Sequence, residues 1–328
     1  MGWVIKNSEG RNWEDKILTS FNKFQGAFSM ISLTKNKLIA FRDTFGFRPL
    51  VLGQLNDSYV VCSETCALDT VGAKFIREVA PGEIIVIDDK GMRSVGKIRS
   101  PKKAFCLFEY VYLARPDSIF DKQLVHQVRQ RSGEILAHES PVGADMVVAV
   151  PDSGTSAAIG YSKASGIPYG EVLIKNRYIG RTFIQPEQNI REMGVRIKFN
   201  PLKEIVKGKR IIIVDDSIVR GTTIKKIVKM LKNCGAKKVH IRVCSPPVTD
   251  PCYFGIDTPD KKQLIASHMS VKEIKKFIGA DSLAYLSLEG LKKASRIKSN
   301  KLCDSCFTGK YPMPVKGGFR KDVFETIS

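Results

Sequence analysis

The chain has 328 residues, which is long enough for two domains that each bury their own core. Apolar residues make up 43% of the chain and charged residues 26%, as in ordinary globular proteins. No run of about 18 apolar residues occurs, and the first residues lack a signal-peptide pattern, so we expect no membrane span and a cytoplasmic location.

The net charge is +20, from 53 basic and 33 acidic residues. Such a charge suits nucleic acid, a polyanionic small substrate or merely a lysine-rich solvated surface. The lysines are scattered over predicted helix faces and are not interleaved with aromatic residues. We therefore predict no nucleic-acid partner.

The first hundred residues are rich in predicted β-hairpins. A helix is predicted over residues 11–24. Paired apolar runs then flank polar turns at residues 34–37, 56–57 and 89–91. Hairpins in series indicate an antiparallel sheet.

From about residue 100, predicted strands and helices alternate. The strands cover residues 144–152, 209–216 and 238–247, and the helices cover residues 125–139, 156–166 and 222–235. This alternation predicts an α/β unit with a parallel sheet. The polar, basic stretch 94–103 marks the predicted boundary, which gives units over 1–98 and 99–314 and a loosely held tail over 315–328.

Two adjacent aspartates, Asp215 and Asp216, end the predicted strand 209–216. In open α/β sheets, ligands bind at the carboxyl ends of strands. A turn rich in glycine and hydroxyl residues follows and leads into a helix, whose free N–H groups and dipole favour an anion. The pattern predicts a phosphate in this turn, with the aspartates on sugar hydroxyls or on hydrated Mg²⁺. The alternative is that one aspartate only caps the helix.

The stretch VDDSIVRGTT (214–223) resembles the fingerprint with which type I phosphoribosyltransferases bind 5-phosphoribosyl 1-pyrophosphate (PRPP). From Phe24 to Pro312 the chain resembles the amidophosphoribosyltransferase family, through segments that include RDTFGFRPL (42–50), FEYVYLARPDS (108–118), VPDSGTSAAIGY (150–161) and CFTGKYP (306–312). The resemblance implies a type I phosphoribosyltransferase domain, preceded by the β-rich second half of an N-terminal-nucleophile (Ntn) hydrolase glutaminase domain.

The resemblance also implies an activity. Members of the family are pentosyltransferases that form 5-phosphoribosylamine and pyrophosphate from PRPP and glutamine-derived ammonia, the first committed step of purine biosynthesis. The same resemblance implies a homotetramer and feedback inhibition by purine nucleotides.

The family mechanism assigns roles to residues of this chain. Asp215 and Asp216 would hold the ribose hydroxyls and, with Ser153, place Mg²⁺. The 5-phosphate would be bound by Ser217, Arg220, Gly221, Thr222 and Thr223. Asp152 fits the pyrophosphate loop, or else caps the helix that follows.

Lys175 and Arg177 lie in a basic, glycine-containing segment. The resemblance implies that this segment closes over the pyrophosphate leaving group and excludes water. The alternative is a solvated basic loop.

The eight cysteines include CDSC (303–306), with the C-x-x-C spacing of metal sites. Alone, this motif indicates a zinc half-site or exposed thiols. The iron–sulfur subgroup of the family uses four thiolates for a [4Fe–4S] cluster, and the resemblance places these at Cys106, Cys252, Cys303 and Cys306. We expect a structural cluster, and we expect Cys62, Cys66, Cys234 and Cys244 to be buried as small apolar residues.

The family's glutaminase nucleophile is a cysteine whose own α-amino group acts as the base. No cysteine precedes Cys62. We therefore expect an N-terminally truncated product that uses ammonia but not glutamine; the alternative is one half of a split enzyme. Two alternatives are a PRPP-binding regulator of purine genes, which would carry an N-terminal winged helix, and an inactive fragment.

Overall fold

A computed structural model describes residues 1–176, 199–258 and 260–315. Its N-terminal part contains the strands β1 Ser29–Leu33, β2 Leu38–Arg42, β3 Val51–Leu55, β4 Ser58–Cys62, β5 Lys74–Glu78, β6 Glu83–Asp88 and β7 Gly91–Lys97. The helices of this part are Gly2–Lys6, Trp13–Ser20 and Thr65–Val71, with a 3-10 turn at Phe21–Lys23.

The strands of the N-terminal part form two antiparallel sheets, with orders β1-β2-β6-β7 and β4-β3-β5. The three predicted hairpins, β1–β2, β3–β4 and β6–β7, are confirmed. The prediction of a single sheet was wrong, because β3 pairs with β5 and not with β2. One apolar layer between the sheets, which includes Ala40, Leu52 and Ile85, buries a face of each.

The α/β part contains the strands β8 Phe105–Cys106, β9 Ile119–Phe120, β10 Gln123–Leu124, β11 Met146–Ala149, β12 Leu173–Lys175, β13 Phe199–Pro201, β14 Arg210–Asp215, β15 Lys238–Val243, β16 Ser282–Tyr285 and β17 Leu302–Cys303. Its α-helices are Val125–Glu139, Thr155–Ser165, Lys203–Val206, Thr222–Asn233, Val271–Ile278, Leu288–Ser295 and Ser305–Thr308. A π-helical turn spans Glu109–Leu113, and 3-10 turns span Lys261–Gln263, Ile265–Ser267 and Ser299–Lys301.

The central sheet of this part has the order β11-β14-β15-β16, and all its pairings are parallel, as predicted. The middle of strand β14, residues 211–214, is apolar because it is covered on both faces: Ile212 and Val214 pack into one core, and Ile211 and Ile213 into another. The parallel register carries the end of β14 to the carboxyl edge of the sheet, where ligands bind in such folds.

Two helices beside this edge pack backbone against backbone. A Cβ atom on Gly133 would lie 1.9 Å from the carbonyl oxygen of Ala157, and one on Gly160 would lie 2.0 Å from that of Gln130. Only glycine fits at either position. The helices Val125–Glu139 and Thr155–Ser165 therefore contact each other through their backbones at both glycines.

The N-terminal and α/β parts are joined by stacking and by an ion pair. The Phe47 ring stacks on that of Phe254 with centroids 4.1 Å apart. Arg48 donates to the Glu109 carboxylate at 2.8 Å and to the Phe254 carbonyl at 3.0 Å. Among the helices in the described ranges, none is long and apolar enough to cross a membrane.

Candidate functional site

Asp215 and Asp216 form a buried acidic turn at the end of β14, with residue exposures of 8% and 7%. The Asp215 carbonyl accepts from the Cys244 N–H at 2.9 Å, and the Asp215 carboxylate accepts from the Asp216 N–H at 3.0 Å. The next helix is capped by Gly221, with no side-chain capping bond. The alternative that an aspartate only caps this helix was therefore wrong.

The Asp216 carboxylate is surrounded by hydroxyl groups. The Ser217 hydroxyl donates to it at 2.5 Å, and the Ser153 hydroxyl also bonds to it. Burial raises the pKa of the Asp216 carboxyl, while these two hydrogen bonds and the charge of Arg129 lower it. Hydroxyl partners can turn aside when a ligand or cation arrives, so this carboxylate suits reversible binding.

A candidate anion site follows at the start of the helix Thr222–Asn233. Gly221 has a φ of 74°, in the left-handed region that glycine enters without strain. Thr222 and Thr223 are exposed, and the first turn of a helix presents backbone N–H groups without helical partners. Arg220 is exposed and donates to the Gln263 side chain at 2.5 Å. Of the predicted phosphate-binding residues, Arg220, Thr222 and Thr223 are thus accessible, whereas Gly221 is buried and Ser217 is half-buried.

A second loop, which includes Asp152 and Ser153, follows β11 beside the acidic turn. The Val150 N–H donates to the Val214 carbonyl at 2.9 Å, which fixes this loop against β14. The peptide bond between Pro151 and Asp152 is cis. Asp152 does not cap the next helix, whose N-cap is Gly154, so that alternative was wrong.

A cleft of about 440 Å³ opens beside this second loop. Asp152 and Lys175 border it and form an ion pair with each other. Tyr169 and Glu171 also line the cleft. Arg177, the other basic residue predicted to cover the leaving group, lies outside the described residues.

The four cysteines predicted to hold a cluster come from three segments of the chain. Cys106 and Cys303 are partners across the β8–β17 pairing, Cys306 follows in the helix Ser305–Thr308, and Cys252 Sγ accepts from the Phe254 N–H at 3.3 Å. Burial raises the pKa of the Cys306 thiol, and the other three cysteines raise it further, so all four are electrostatic neighbours.

Cys303 and Cys306 are each only 8% exposed, so the alternative of exposed thiols was wrong. Within the described residues, no three His, Cys, Asp or Glu side chains are grouped so as to hold a metal ion. Of the remaining cysteines, Cys66 and Cys244 are buried as predicted. Cys62 and Cys234 are only half-buried, which corrects the prediction for both, because each lies at the end of its strand or helix.

Sequence reasoning missed Arg129, a buried cation behind the acidic turn. Its side chain donates to the carbonyls of Tyr110 and Ala114, both at 2.8 Å, and its residue exposure is 6%. A signal was available: this arginine lies next to Val128 on the apolar face of the predicted helix 125–139.

Two family profiles match the chain. A profile described as a phosphoribosyl transferase domain matches residues 117–248, and one described as a glutamine amidotransferase domain matches residues 8–70. The described N-terminal residues therefore agree with a glutaminase-type unit and not with the winged helix that a purine regulator would carry.

Curated relatives agree with these matches. An amidophosphoribosyltransferase of Synechococcus elongatus is 49% identical over 327 residues, which cover 98% of this chain and 66% of the relative. One of Archaeoglobus fulgidus is 52% identical over 294 residues, which cover 89% of this chain and 64% of the relative. The chain therefore spans just under two thirds of the length of these two proteins.

Among solved structures, glutamine PRPP amidotransferase from B. subtilis, complexed with ADP and GMP, is 49% identical with a TM-score of 0.90. The match covers 96% of this chain and 70% of that chain. The expected fold class, a phosphoribosyltransferase domain preceded by glutaminase-type β structure, is confirmed. The chain belongs to the amidophosphoribosyltransferase family.

Proposed function

We propose that this chain forms 5-phosphoribosylamine and pyrophosphate from PRPP and ammonia. The observation that carries the proposal is that the loop after β11 lies against the acidic turn after β14: the Val150 N–H donates to the Val214 carbonyl at 2.9 Å, and Ser153 and Asp216 line the same small void. The two loops meet at the carboxyl edge of a parallel sheet. Pyrophosphate and ribose are adjacent groups of PRPP, and two adjacent loops are what their recognition requires.

Within the acidic turn, Asp215 and Asp216 would hold the ribose hydroxyls and, with Ser153, a Mg²⁺ ion. The residues fit the ion: carboxylate and hydroxyl oxygens are its preferred ligands, and pyrophosphate and water complete its shell. Bound there, Mg²⁺ would neutralise charge on the pyrophosphate. The described contacts of the Asp216 carboxylate include no ion pair that the cation would have to displace.

The reaction exchanges one bond at ribose C1 for another. The bond from C1 to the pyrophosphate oxygen breaks, and its electron pair leaves with pyrophosphate; the ammonia lone pair forms the C1–N bond, and a proton passes to solvent. We assign the 5-phosphate to the start of the helix Thr222–Asn233, with Ser217, Arg220 and Gly221 of the preceding turn. Lys175 would place positive charge on the leaving group, with Asp152 beside it. The role of Arg177 stays a prediction.

We also propose that Cys106, Cys252, Cys303 and Cys306 hold a [4Fe–4S] cluster. Cys106, Cys303 and Cys306 are buried, Cys252 is half-buried, and all four are electrostatic neighbours. Each iron of such a cluster takes one protein thiolate, so four cysteines match the number of ligands. When bound, the cluster would tie the segment around residues 303–306 to the core.

The test of the cluster uses protein purified without oxygen. We expect about four irons per chain and visible iron–sulfur absorption, both lost in Cys303→Ser. Cys234→Ser, which changes a half-buried cysteine elsewhere, is the matched control and should keep both. Folded wild-type protein without iron would refute this proposal.

We propose the domain limits 1–98, 99–314 and 315–328, with the phosphoribosyltransferase unit in the middle. Purine nucleotides as inhibitors and a homotetramer are also proposals. They are supported by family membership and, for the nucleotides, by the ADP and GMP in the B. subtilis protein.

The enzymatic proposal is tested by pyrophosphate release from PRPP and Mg²⁺, with ammonium chloride or glutamine as the nitrogen donor. We expect ammonium-dependent release that Asp215→Asn abolishes. PRPP binding without release would favour the inactive fragment, and no binding at all would refute the assignment of the site.

A further inference from the structure

A connecting segment, residues 109–121, lies between the N-terminal part and the acidic turn. The Glu64 carboxylate of the N-terminal part accepts from the Arg115 N–H at 2.8 Å and from the Ser118 hydroxyl at 2.7 Å. The Thr65 hydroxyl accepts from the Ile119 N–H at 2.8 Å. These contacts fix the second half of the segment to the N-terminal part.

The other end of the connecting segment is held in the same way. Glu109, which begins the π-helical turn, is nearly buried and receives the Arg48 ion pair at 2.8 Å. Charged hydrogen bonds at both ends leave the segment little freedom to move relative to the N-terminal part.

The middle of the segment is held from the opposite side by Arg129. Its guanidinium donates to the Tyr110 and Ala114 carbonyls, which lie in and just after the π-helical turn. Backbone carbonyls do not neutralise a buried cation, so its charge must be balanced by carboxylates at longer range.

Arg129 and Asp216 face the same void of about 10 Å³, enough for about one water, and Ser153 and Cys244 also line it. Burial lowers the pKa of the Arg129 guanidinium, and the charges of Asp216, Glu64 and Glu109 raise it. Arg129 thus contacts the connecting segment directly and shares a void with the acidic turn.

We propose that Arg129 is a positioning residue that couples the contact of the N-terminal part on the connecting segment to the placement of the Asp216 carboxylate. Glu64 holds the connecting segment, and residues 110–118 of that segment link Glu64 to the Arg129 guanidinium. The charge of Arg129 then acts on the Asp216 carboxylate. This inference rests on the proposed function, because it assigns Asp216 to PRPP.

The first experiment compares Arg129→Met with Arg131→Met in ammonia-dependent pyrophosphate release. Arg131 is the matched control: it lies on the same helix and donates to the Ala294 carbonyl, away from the void. We expect Arg129→Met to raise KM for PRPP about tenfold while kcat changes less than threefold, since positioning of a binding carboxylate acts on substrate affinity. Arg131→Met should change neither by more than about twofold.

Arg129→Ala with added guanidinium chloride is the second readout. We expect millimolar guanidinium to restore part of the lost affinity in Arg129→Ala and to do nothing for Arg131→Ala. Arg129→Lys keeps the charge but not the fork of donors, so we expect an intermediate KM. If Arg129→Met does not fold, Arg129→Lys and guanidinium rescue still decide the matter.

The coupling itself is tested by a double-mutant cycle with Glu64→Ala, measured as the dissociation constant of PRPP by calorimetry. We expect Glu64→Ala to weaken binding about threefold in the wild-type background and not at all beside Arg129→Lys. Additive effects, or an Arg129→Met variant with wild-type KM, would overturn the inference. Wild-type protein that binds no PRPP would instead refute the proposed function.

Discussion

The two parts of the molecule each bury an aspartate, and they satisfy it in different ways. Asp43, in the N-terminal part, is 1% exposed and accepts from the backbone N–H groups of Phe28, Phe45 and Phe47. Asp216, at the edge of the parallel sheet, is 7% exposed and bonds instead to the hydroxyls of Ser153 and Ser217.

Burial raises the pKa of both carboxyl groups, so exposure and pKa alone do not separate them. The type of hydrogen-bond partner does separate the two carboxyl groups. Backbone N–H groups cannot leave, which makes Asp43 part of the fold, whereas hydroxyl groups rotate and leave oxygens of Asp216 for a ligand. The contrast indicates that a buried charge is a candidate for function when its partners are replaceable.

The sharpest test of this contrast is Asp216→Asn. We expect kcat/KM for ammonia-dependent pyrophosphate release to fall about 10²–10³-fold, as when a preorganised polar group is lost from an active site. The midpoint of urea unfolding should not fall, because the substitution removes a buried charge without removing a backbone contact. A large loss of stability would instead indicate that Asp216, like Asp43, is part of the fold.

The reciprocal substitution, Asp43→Asn, should affect the fold and not the reaction. One acceptor oxygen becomes an amide donor that faces a backbone N–H, and we expect the free energy of unfolding to drop by about 1–3 kcal/mol. The kcat of the folded protein should stay within about twofold of wild type. A selective loss of kcat at unchanged stability would contradict the structural assignment.

Carboxylates that are paired with an arginine outside the candidate site should give the smallest effect, and the same effect in both parts. Hydrogen bonds from Arg93 lower the pKa of Asp88 to about 2, and those from Arg210 do the same for Asp145. A lowered pKa adds stability above the ordinary value of 3.8, and this stability is lost as the pH falls toward 2. In Asp88→Asn or Asp145→Asn, stability should depend less on pH between about 4 and 2, as measured by unfolding midpoints. An unchanged pH dependence would contradict the pairing.

Local patterns predicted most of the fold, because hairpin turns and alternating apolar residues act over a few residues. The arrangement of the strands in the sheets was harder to predict from the sequence. That β3 joins β5 in a second sheet depends on the apolar layer around Leu52 and Ile85, and that β8 pairs with β17 depends on contacts nearly 200 residues apart. Neither leaves a local signal.

In the candidate site, too, residues with a local sequence signal were predicted and residues that depend on distant contacts were not. Asp215 and Asp216 were predictable because two charges at the end of an apolar strand are conspicuous by themselves. The cysteine group rested on family resemblance, since spacing alone left a zinc half-site open. Arg129 was missed because its role depends on carbonyls and carboxylates from other segments of the chain.

The glycine contacts at Gly133 and Gly160 have a consequence for motion during turnover. With no side chain between them, the two helices cannot slide past one another without a backbone collision, so they form one rigid unit. Arg129 lies on the first helix, and Ser153 lies just before the second. The cleft is therefore bordered by the loop that precedes this second helix and by β12, which carries Lys175 and, among the described strands, pairs only with β13.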